Sequence, residues 1–481
     1  MAKELAKAKD KVVVAEVERF GEKLLIPEAM KIDQAIDLLK RRKAYEEEET
    51  VIQTTIDCYP WDGAVALERV LTAKYGWAQQ VAQRSFFGKT PPQMIEIASG
   101  FGKKITVPWG QFSIPDCEGS INTGVDVTPE GRAQFQLIAN VLRKDEATVR
   151  DLFAKVAAEV KANSIYRGQA IRVRFLDDDG NLMGLSYPEF LDTASVDPAG
   201  LVLSRDLERA VKTSLFTPIT RPLDCLANGI PVKRGILLAG TFGTGKTLIA
   251  HVASKLAVEA GVTFLYIRKA AELSYAIEFA RQYQSPACVI FCEDIDREMD
   301  GERNEDMDQI LNTIDGIDSK TTNVIVVLTT NNKKGIHPAM LRPGRLDAVL
   351  DILPPDAEAI GRLIHVYAKG ALEHDIDLHA VGEMLAGNIP AVIAEVVKRA
   401  KLSQLSLQEP GTRVLALSSQ SLVDAALTIQ GQVELLKPAD KVEKTSLEVA
   451  LADVVASAME GDIGLMKKGL RAVPAIAKAM N

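Results

Sequence analysis

The 481-residue chain predicts a parallel α/β domain, preceded by an α+β region and followed by a helical one. Three observations carry this expectation. Residues near 196–353 alternate strand-like and helix-like patterns, the mark of a parallel sheet covered on both faces. Inside that stretch, Gly240-Thr241-Phe242-Gly243-Thr244-Gly245-Lys246-Thr247 completes the pattern G-x-x-x-x-G-K-[ST]. After Asp356 the apolar spacing becomes helical over Ala357–Ala371, Leu378–Ala386, Pro390–Leu405 and Ser419–Leu436. A chain of this length has room for about three domains. The expected division is 1–195, 196–353, a helical lid over 354–436, and a helical tail over 437–481.

The N-terminal region begins with a helical pattern over 31–49 that runs into Glu46-Glu47-Glu48-Glu49, read as a solvated helix end. Residues 51–57 alternate as a strand, and a helix from Asp62 to Lys74 is expected with Asp62 as its cap. From about 93 to 128 the pattern is strand and turn, with Met94–Ile97 and Lys104–Val107 as strands. Trp61, Trp77 and Trp109 fall in this third and read as core. A further helix is expected over 145–162, then a strand over Ala170–Phe175. Asp177-Asp178-Asp179-Gly180-Asn181 invites a calcium-loop reading. Aligning Gly180 as the required glycine puts Phe175 and Ser186 where Asp and Glu are needed, so a hairpin turn is the better reading. No catalytic signature occurs before residue 195, and this region is expected to recognise or dock a partner.

The phosphate-loop pattern lies between the apolar run Ile236–Ala239 and a helix opening at Leu248-Ile249-Ala250. Glycines let the backbone curl so that successive N–H groups point at phosphate oxygens, and the helix N-terminus adds its positive end. Lys246 can then reach the β- and γ-phosphates and the Thr247 hydroxyl can ligate Mg²⁺. Residues 240–248 (Gly240, Thr241, Phe242, Gly243, Thr244, Gly245, Lys246, Thr247, Leu248) are therefore the expected nucleotide-binding set.

Downstream, Val289-Ile290-Phe291-Cys292-Glu293-Asp294-Ile295-Asp296 is a buried-strand pattern ending in acids, and Val324–Asn331 is a second ending in Asn. His337-Pro338-Ala339-Met340-Leu341-Arg342-Pro343-Gly344-Arg345-Leu346-Asp347 follows. With Gly229–Gly235 ahead of the loop, this series of motifs resembles the classical AAA ATPases of the wider AAA+ group, over roughly residues 204–436. The resemblance implies an α/β P-loop NTPase fold, an AAA+ parallel sheet with helices on both faces. It implies ATP and Mg²⁺ as cofactors, with Thr247 and Glu293 on the metal side. Asp294 stands where the family's water-polarising acid sits, and Asn331 where its γ-phosphate sensor sits. Arg342 and Arg345 match the arginine fingers that reach into a neighbouring subunit's site, which suits a planar, permanently charged fork. A homo-oligomeric ring, a hexamer, is what that resemblance implies. Gly387 occupies the lid's glycine-containing turn near the adenine, and Lys398 and Arg399 are further lid candidates.

Two departures from the family stand out. The usual acid order is Asp-Glu, here Glu293-Asp294, which moves each carboxylate by about 1.5 Å, one C–C bond. The central-pore segment is also shortened: Glu272-Leu273-Ser274-Tyr275 runs straight into a helix, leaving Tyr275 either a pore residue or a packing one. The tail Ala477–Asn481 lacks the docking signature of proteasome-feeding members.

Composition is that of a soluble globular protein, with 47% hydrophobic and 25% charged residues and a net charge of −8. The acidic balance and lack of a polybasic stretch argue against nucleic acid as partner. The five cysteines (Cys58, Cys117, Cys225, Cys288, Cys292) show no C-x-x-C spacing and read as reduced thiols, with Cys288 and Cys292 buried on one strand. No signal peptide or membrane span is expected, so a cytoplasmic location follows. The expected work is ATP-driven remodelling or disassembly of a protein partner held by residues 1–195. The rivals are an ATP-gated assembly scaffold with slow hydrolysis and a nucleic-acid motor.

Overall fold

The computed structural model describes residues 30–436 except 77–82, 86–87, 92, 296–321, 333–345, 410 and 412–415. Trp77, Arg342, Arg345 and the 437–481 tail lie outside the described residues. Two compact units emerge, residues 1–201 with 205–352, and residues 202–204 with 353–481. No helix among the described residues is long and apolar enough to cross a membrane.

The first unit opens with a helix, Ile32–Glu46, then β1 (Glu49–Ile56) and the helix Pro60–Tyr75. Two short hairpins follow, β2 (Gln83–Ser85) with β3 (Gly88–Thr90) and β4 (Met94–Gly100) with β5 (Lys103–Pro108). Next come β6 (Gln111–Phe112), β7 (Gly119–Val127), β8 (Ala133–Leu142) and the helix Glu146–Asn163. An antiparallel sheet in the order β1-β8-β7-β6 packs against the helices Pro60–Tyr75 and Glu146–Asn163. Alternation drives this arrangement: Ile52 and Ile56 of β1 and Phe135, Leu137 and Ala139 of β8 point to one buried side. The helix Pro60–Tyr75 approaches so closely that a Cβ on Gly63 would lie 2.2 Å from the Phe135 ring, so only glycine fits there. Trp61 is buried and Trp109 half-buried, their rings 4.7 Å apart, as a core role requires.

Asp62 is not a cap. The helix starts at Pro60 with Tyr59 before it, and Asp62 is buried inside the first turn. Its Oδ1 accepts from the Ile165 N–H at 2.8 Å and its Oδ2 from the Ser164 hydroxyl at 2.6 Å. Burial is the main reason its pKa is pushed up to about 6, opposed by these hydrogen bonds. Because the folded chain holds this proton more tightly than the unfolded one, the associated stability is full below about pH 4. It is lost as pH rises through 6, by about 3 kcal/mol in all. Denaturant unfolding of the parent and of Asp62→Asn at pH 4 and pH 7 checks this. The variant is expected to gain on the parent by about 2–3 kcal/mol between the two pH values, and a pH-independent gap would refute the assignment.

The principal sheet is built from β9 (Ala170–Arg172), β10 (Glu189–Phe190), β11 (Arg234–Ala239), β12 (Thr263–Ile267), β13 (Cys288–Cys292), β14 (Val324–Thr330) and β15 (Ala348–Asp351). Its order is β10-β9-β12-β13-β14-β11-β15, parallel throughout except for β10. Every residue of β13 and β14 is buried, which explains their unbroken apolar runs and the sequestered Cys288 and Cys292. The predicted strand over 170–175 is shorter than expected and joins this sheet beside β12 instead of the N-terminal layer. Residues before 195 thus contribute two strands to the phosphate-loop sheet, and no break in packing falls at 195/196.

Further contacts join the N-terminal residues to the helix Leu273–Tyr283. The Tyr59 N–H donates to the Tyr283 hydroxyl at 2.8 Å, and Gln282 Nε2 donates to the Ala133 carbonyl at 3.0 Å. The buried Glu272 carboxylate accepts from the N–H groups of Phe175 and Leu176 at 2.8 and 3.1 Å. Asp177–Asn181 forms the expected turn: Asp177 Oδ1 accepts from the Asn181 N–H, Gly180 has φ +85°, and Leu176 and Leu182 bridge the arms.

The second unit is helical, with Ala357–Ala368, His379–Leu385, Pro390–Ser406 and Ser419–Leu436 matching the four predicted segments within a few residues. Ile360, Leu363, Ile393, Val397, Leu422 and Ala426 centre its core. Asp356 caps the first helix by accepting from the Ala359 N–H at 2.8 Å.

Candidate nucleotide site

Parallel sheets bind ligands beyond the carboxyl ends of their strands, and three neighbouring strands end together here. β11 leads into the phosphate loop, β13 into Glu293-Asp294, and β14 into Asn331, in the spatial order β13-β14-β11. The Gly240 N–H donates to the Thr330 carbonyl at 3.2 Å, tying the loop's first residue to the end of β14. A Cβ on Gly240 would lie 2.3 Å from the Ile352 carbonyl, so the loop leaves the sheet through a gap that fits only glycine.

Gly243 (φ +77°) and Gly245 (φ +105°) take up left-handed backbone that side chains resist. The helix Lys246–Glu259 starts after Gly245 with no side-chain cap, leaving its first-turn N–H groups without a capping side chain from Gly245. This cradle fits a polyphosphate. Phe242 stands exposed at the rim and Leu248 is half-buried in the first helical turn.

Lys246 is 7% exposed, and its Nζ donates to the Gly240 and Thr241 carbonyls at 2.7 and 2.9 Å and to Asn331 Oδ1 at 2.8 Å. Asn331 in turn donates through Nδ2 to Asp294 Oδ1 at 2.7 Å. One amide thereby joins the loop lysine to the second acid. The first acid faces the other way: Thr247 Oγ1 donates to Glu293 Oε1 at 2.6 Å, and the Tyr266 hydroxyl donates to Glu293 Oε2 at 2.7 Å. Burial, and then the Glu293 carboxylate, push the Tyr266 pKa upward and keep this hydroxyl a donor. A hydroxyl and a carboxylate oxygen side by side are a hard donor set suited to Mg²⁺ that also binds phosphate oxygens. Among the described residues no group of three or more His, Cys, Asp or Glu is placed to hold a metal ion.

The Glu-Asp order has a local cause. Asp294 has φ +48°, and its N–H donates to Thr329 Oγ1 at 2.8 Å. Asp and Asn tolerate left-handed backbone better than a longer side chain does, so the short acid suits this position.

Comparison with known proteins bears on this geometry. Residues 236–353 match the family model described as ATPase family associated with various cellular activities (AAA). That stretch is an AAA ATPase domain. The chain is also similar to the ATP-dependent zinc metalloprotease FtsH 1 of Sphaerobacter thermophilus, 30% identical over 260 residues covering 46% of this chain and 39% of that protein. It is 31% identical to FtsH 1 of Conexibacter woesei over 41% of this chain and 34% of that protein. The FtsH of Mycobacterium bovis is 30% identical over 50% of this chain and 32% of its own length. The chain therefore spans well under half the length of these relatives. None of its five histidines begins the His-Glu-x-x-His pattern of a helical zinc-protease site.

Of the sequence-derived site residues, Lys246, Thr247, Glu293, Asp294 and Asn331 converge at the strand ends. Arg342 and Arg345 lie outside the described residues. Gly387 belongs to the helical unit, where it has φ +80° and its N–H donates to the Pro355 carbonyl at 3.4 Å. Lys398 and Arg399 pair with Glu395 on their own helix. Tyr275 stacks on Phe175 with ring centroids 6.2 Å apart, beside Gly131. Tyr266 was missed, because no local pattern signals a tyrosine that reaches across from the adjacent strand.

Proposed function

We propose that this AAA ATPase hydrolyses Mg²⁺-bound ATP within a cytoplasmic homo-oligomeric ring, a hexamer by family resemblance, and uses the cycle to remodel or disassemble a protein partner. The observation that carries the nucleotide chemistry is the continuous set Lys246–Asn331–Asp294 beside Thr247–Glu293. Lys246 binds the terminal phosphates, and Asp294, held by Asn331, orients and deprotonates the attacking water. When bound, Mg²⁺ neutralises charge developing on the phosphates. Arg342 and Arg345 are proposed to supply the positive charge from the neighbouring subunit, and Gly387 to lie near the base.

Partner recognition is assigned to the N-terminal residues. An apolar cavity of about 370 Å³ between these residues and the helix Leu273–Tyr283 is lined by Val125, Val127, Phe175, Met183, Tyr275 and Phe279, among others. Concave, aromatic-lined sites of this size suit an apolar anchor side chain.

One observation favours the second reading, an ATP-gated scaffold with slow hydrolysis. Glu272 and Tyr275, which begin the family's pore segment, are tied to Phe175 and Leu176. A segment held this way is poorly suited to stroke an extended chain through a pore.

Lys246→Ala tests the site. Its affinity for a fluorescent ATP analogue is expected to fall by about 10- to 100-fold, the loss of one or two charge-assisted hydrogen bonds. Full ATP turnover in this variant would refute the assignment. Parent turnover that rises with protein concentration would support the ring, whereas tight binding with negligible turnover at every concentration would favour the scaffold.

A further inference from the structure

The Glu293 carboxylate is oriented by two hydroxyls, and only one of them belongs to the phosphate loop. Thr247 donates to Oε1 at 2.6 Å and Tyr266 to Oε2 at 2.7 Å, one hydroxyl to each oxygen. Tyr266 sits on β12, directly across from Phe291 of β13, two residues before Glu293. Its ring is held between two contacts. The Phe291 ring stacks on it with centroids 6.0 Å apart at 22°, and the Arg172 guanidinium lies over it, 5.1 Å from its centroid. Arg172 comes from β9, one of the strands the N-terminal residues add to the sheet, and β9 fixes it in register opposite Tyr266.

We propose that Tyr266 is a positioning residue that holds Glu293 in its metal-side orientation and so makes the longer acid serviceable there. Glutamate has one more rotatable bond than aspartate, and that freedom scatters its carboxylate unless something fixes the far oxygen. The Tyr266 hydroxyl supplies that restraint. It leaves Oε1 on Thr247, where the hard donor pair is complete. Arg172 acts one step further out, through the ring of Tyr266, so the N-terminal residues help shape the metal side of the site. This inference rests on the ATP-binding reading and adds to it how Mg²⁺ is held.

The test is the Mg²⁺ dependence of nucleotide binding by Tyr266→Phe in the full chain. The affinity for a fluorescent ADP analogue is measured with EDTA and across a MgCl₂ titration. Removing one hydrogen bond to a charged group is expected to raise the half-saturating Mg²⁺ concentration by on the order of tenfold, while affinity in EDTA stays within twofold. Phe keeps the ring and its stacking, so a merely structural role would leave the Mg²⁺ titration unmoved. A second arm uses Glu293→Asp, whose shorter arm no longer reaches the hydroxyl. Adding Tyr266→Phe to it is expected to shift the Mg²⁺ midpoint less than twofold. A parental Mg²⁺ midpoint in Tyr266→Phe, or full additivity in the double variant, would overturn the proposal. Absence of nucleotide binding by the parent chain in EDTA and in MgCl₂ alike would instead overturn the underlying site.

Discussion

Asp294→Asn is expected to lower steady-state ATP turnover by about 10²- to 10⁴-fold, the usual contribution of a positioned general base. ATP affinity should stay within a few-fold of the parent, because Lys246 and the glycine cradle are untouched. The substitution is unusually clean on structural grounds. Asn tolerates the left-handed backbone at φ +48° about as well as Asp does. The main-chain bond from residue 294 to Thr329 Oγ1 survives, since it uses the N–H. The Asn carbonyl oxygen can still accept from Asn331 Nδ2, so shape is kept and basicity is lost. Asp294→Glu makes the complementary comparison. It keeps the charge but adds about 1.5 Å of reach at a backbone that resists a longer side chain, and a displacement of that size costs on the order of 10²-fold. Measuring kcat beside equilibrium binding of a fluorescent ATP analogue checks both. Turnover within threefold of the parent in Asp294→Asn would remove this residue from the chemistry.

The same residue shows how far the chain could be read from its letters. The convergence of Lys246, Thr247, Glu293, Asp294 and Asn331 was legible because the acids and the Asn end apolar runs and the phosphate loop follows one. A parallel sheet brings such ends together whatever the intervening sequence does. Seen as letters, the Glu-Asp order was a departure that moved each carboxylate by about one bond length. Two features invisible to a linear reading explain it: the positive φ at 294 and the hydroxyl of Tyr266 on the neighbouring strand. Both depend on strand register, which periodicity does not encode.

Asp62 shows the opposite error. An acid near the start of an apolar-periodic helix reads as a cap, yet Pro60 opens the helix and Asp62 turns inward to Ser164 and Ile165, about a hundred residues on. Local rules assign a polar residue to the nearest backbone donors, and here distant ones won. The strand at 170–172 was likewise recognisable as a strand, but nothing in its own pattern says which sheet it enters. Its partner Tyr266 decides that. Tyr275 could be read either as a pore residue or as packing. Its stacking on Phe175 places it among packed rings, and that contact comes from N-terminal residues for which the motifs of the phosphate-loop region give no guidance.

Arg345→Ala is expected to reduce turnover by about 10³- to 10⁵-fold, the range for loss of an arginine that stabilises phosphoryl transfer from outside the site. The proposal that it acts on a neighbour makes a sharper demand than the loss itself. A subunit carrying Arg345→Ala keeps its own Lys246, Asp294 and Asn331, so it should bind ATP with parental affinity. A subunit carrying Asp294→Asn cannot hydrolyse ATP but still presents an intact Arg345. Mixing the two inactive proteins should therefore restore turnover at those interfaces where an intact site meets an intact arginine. With random assembly of equal amounts, about a quarter of the interfaces qualify, so recovery should be a substantial fraction of parental activity rather than a trace. No recovery on mixing, with both variants binding ATP and shown to co-assemble, would mean that the arginine serves its own subunit. In that case the ring would not be required for the chemistry, and concentration-dependent turnover in the parent would need another cause.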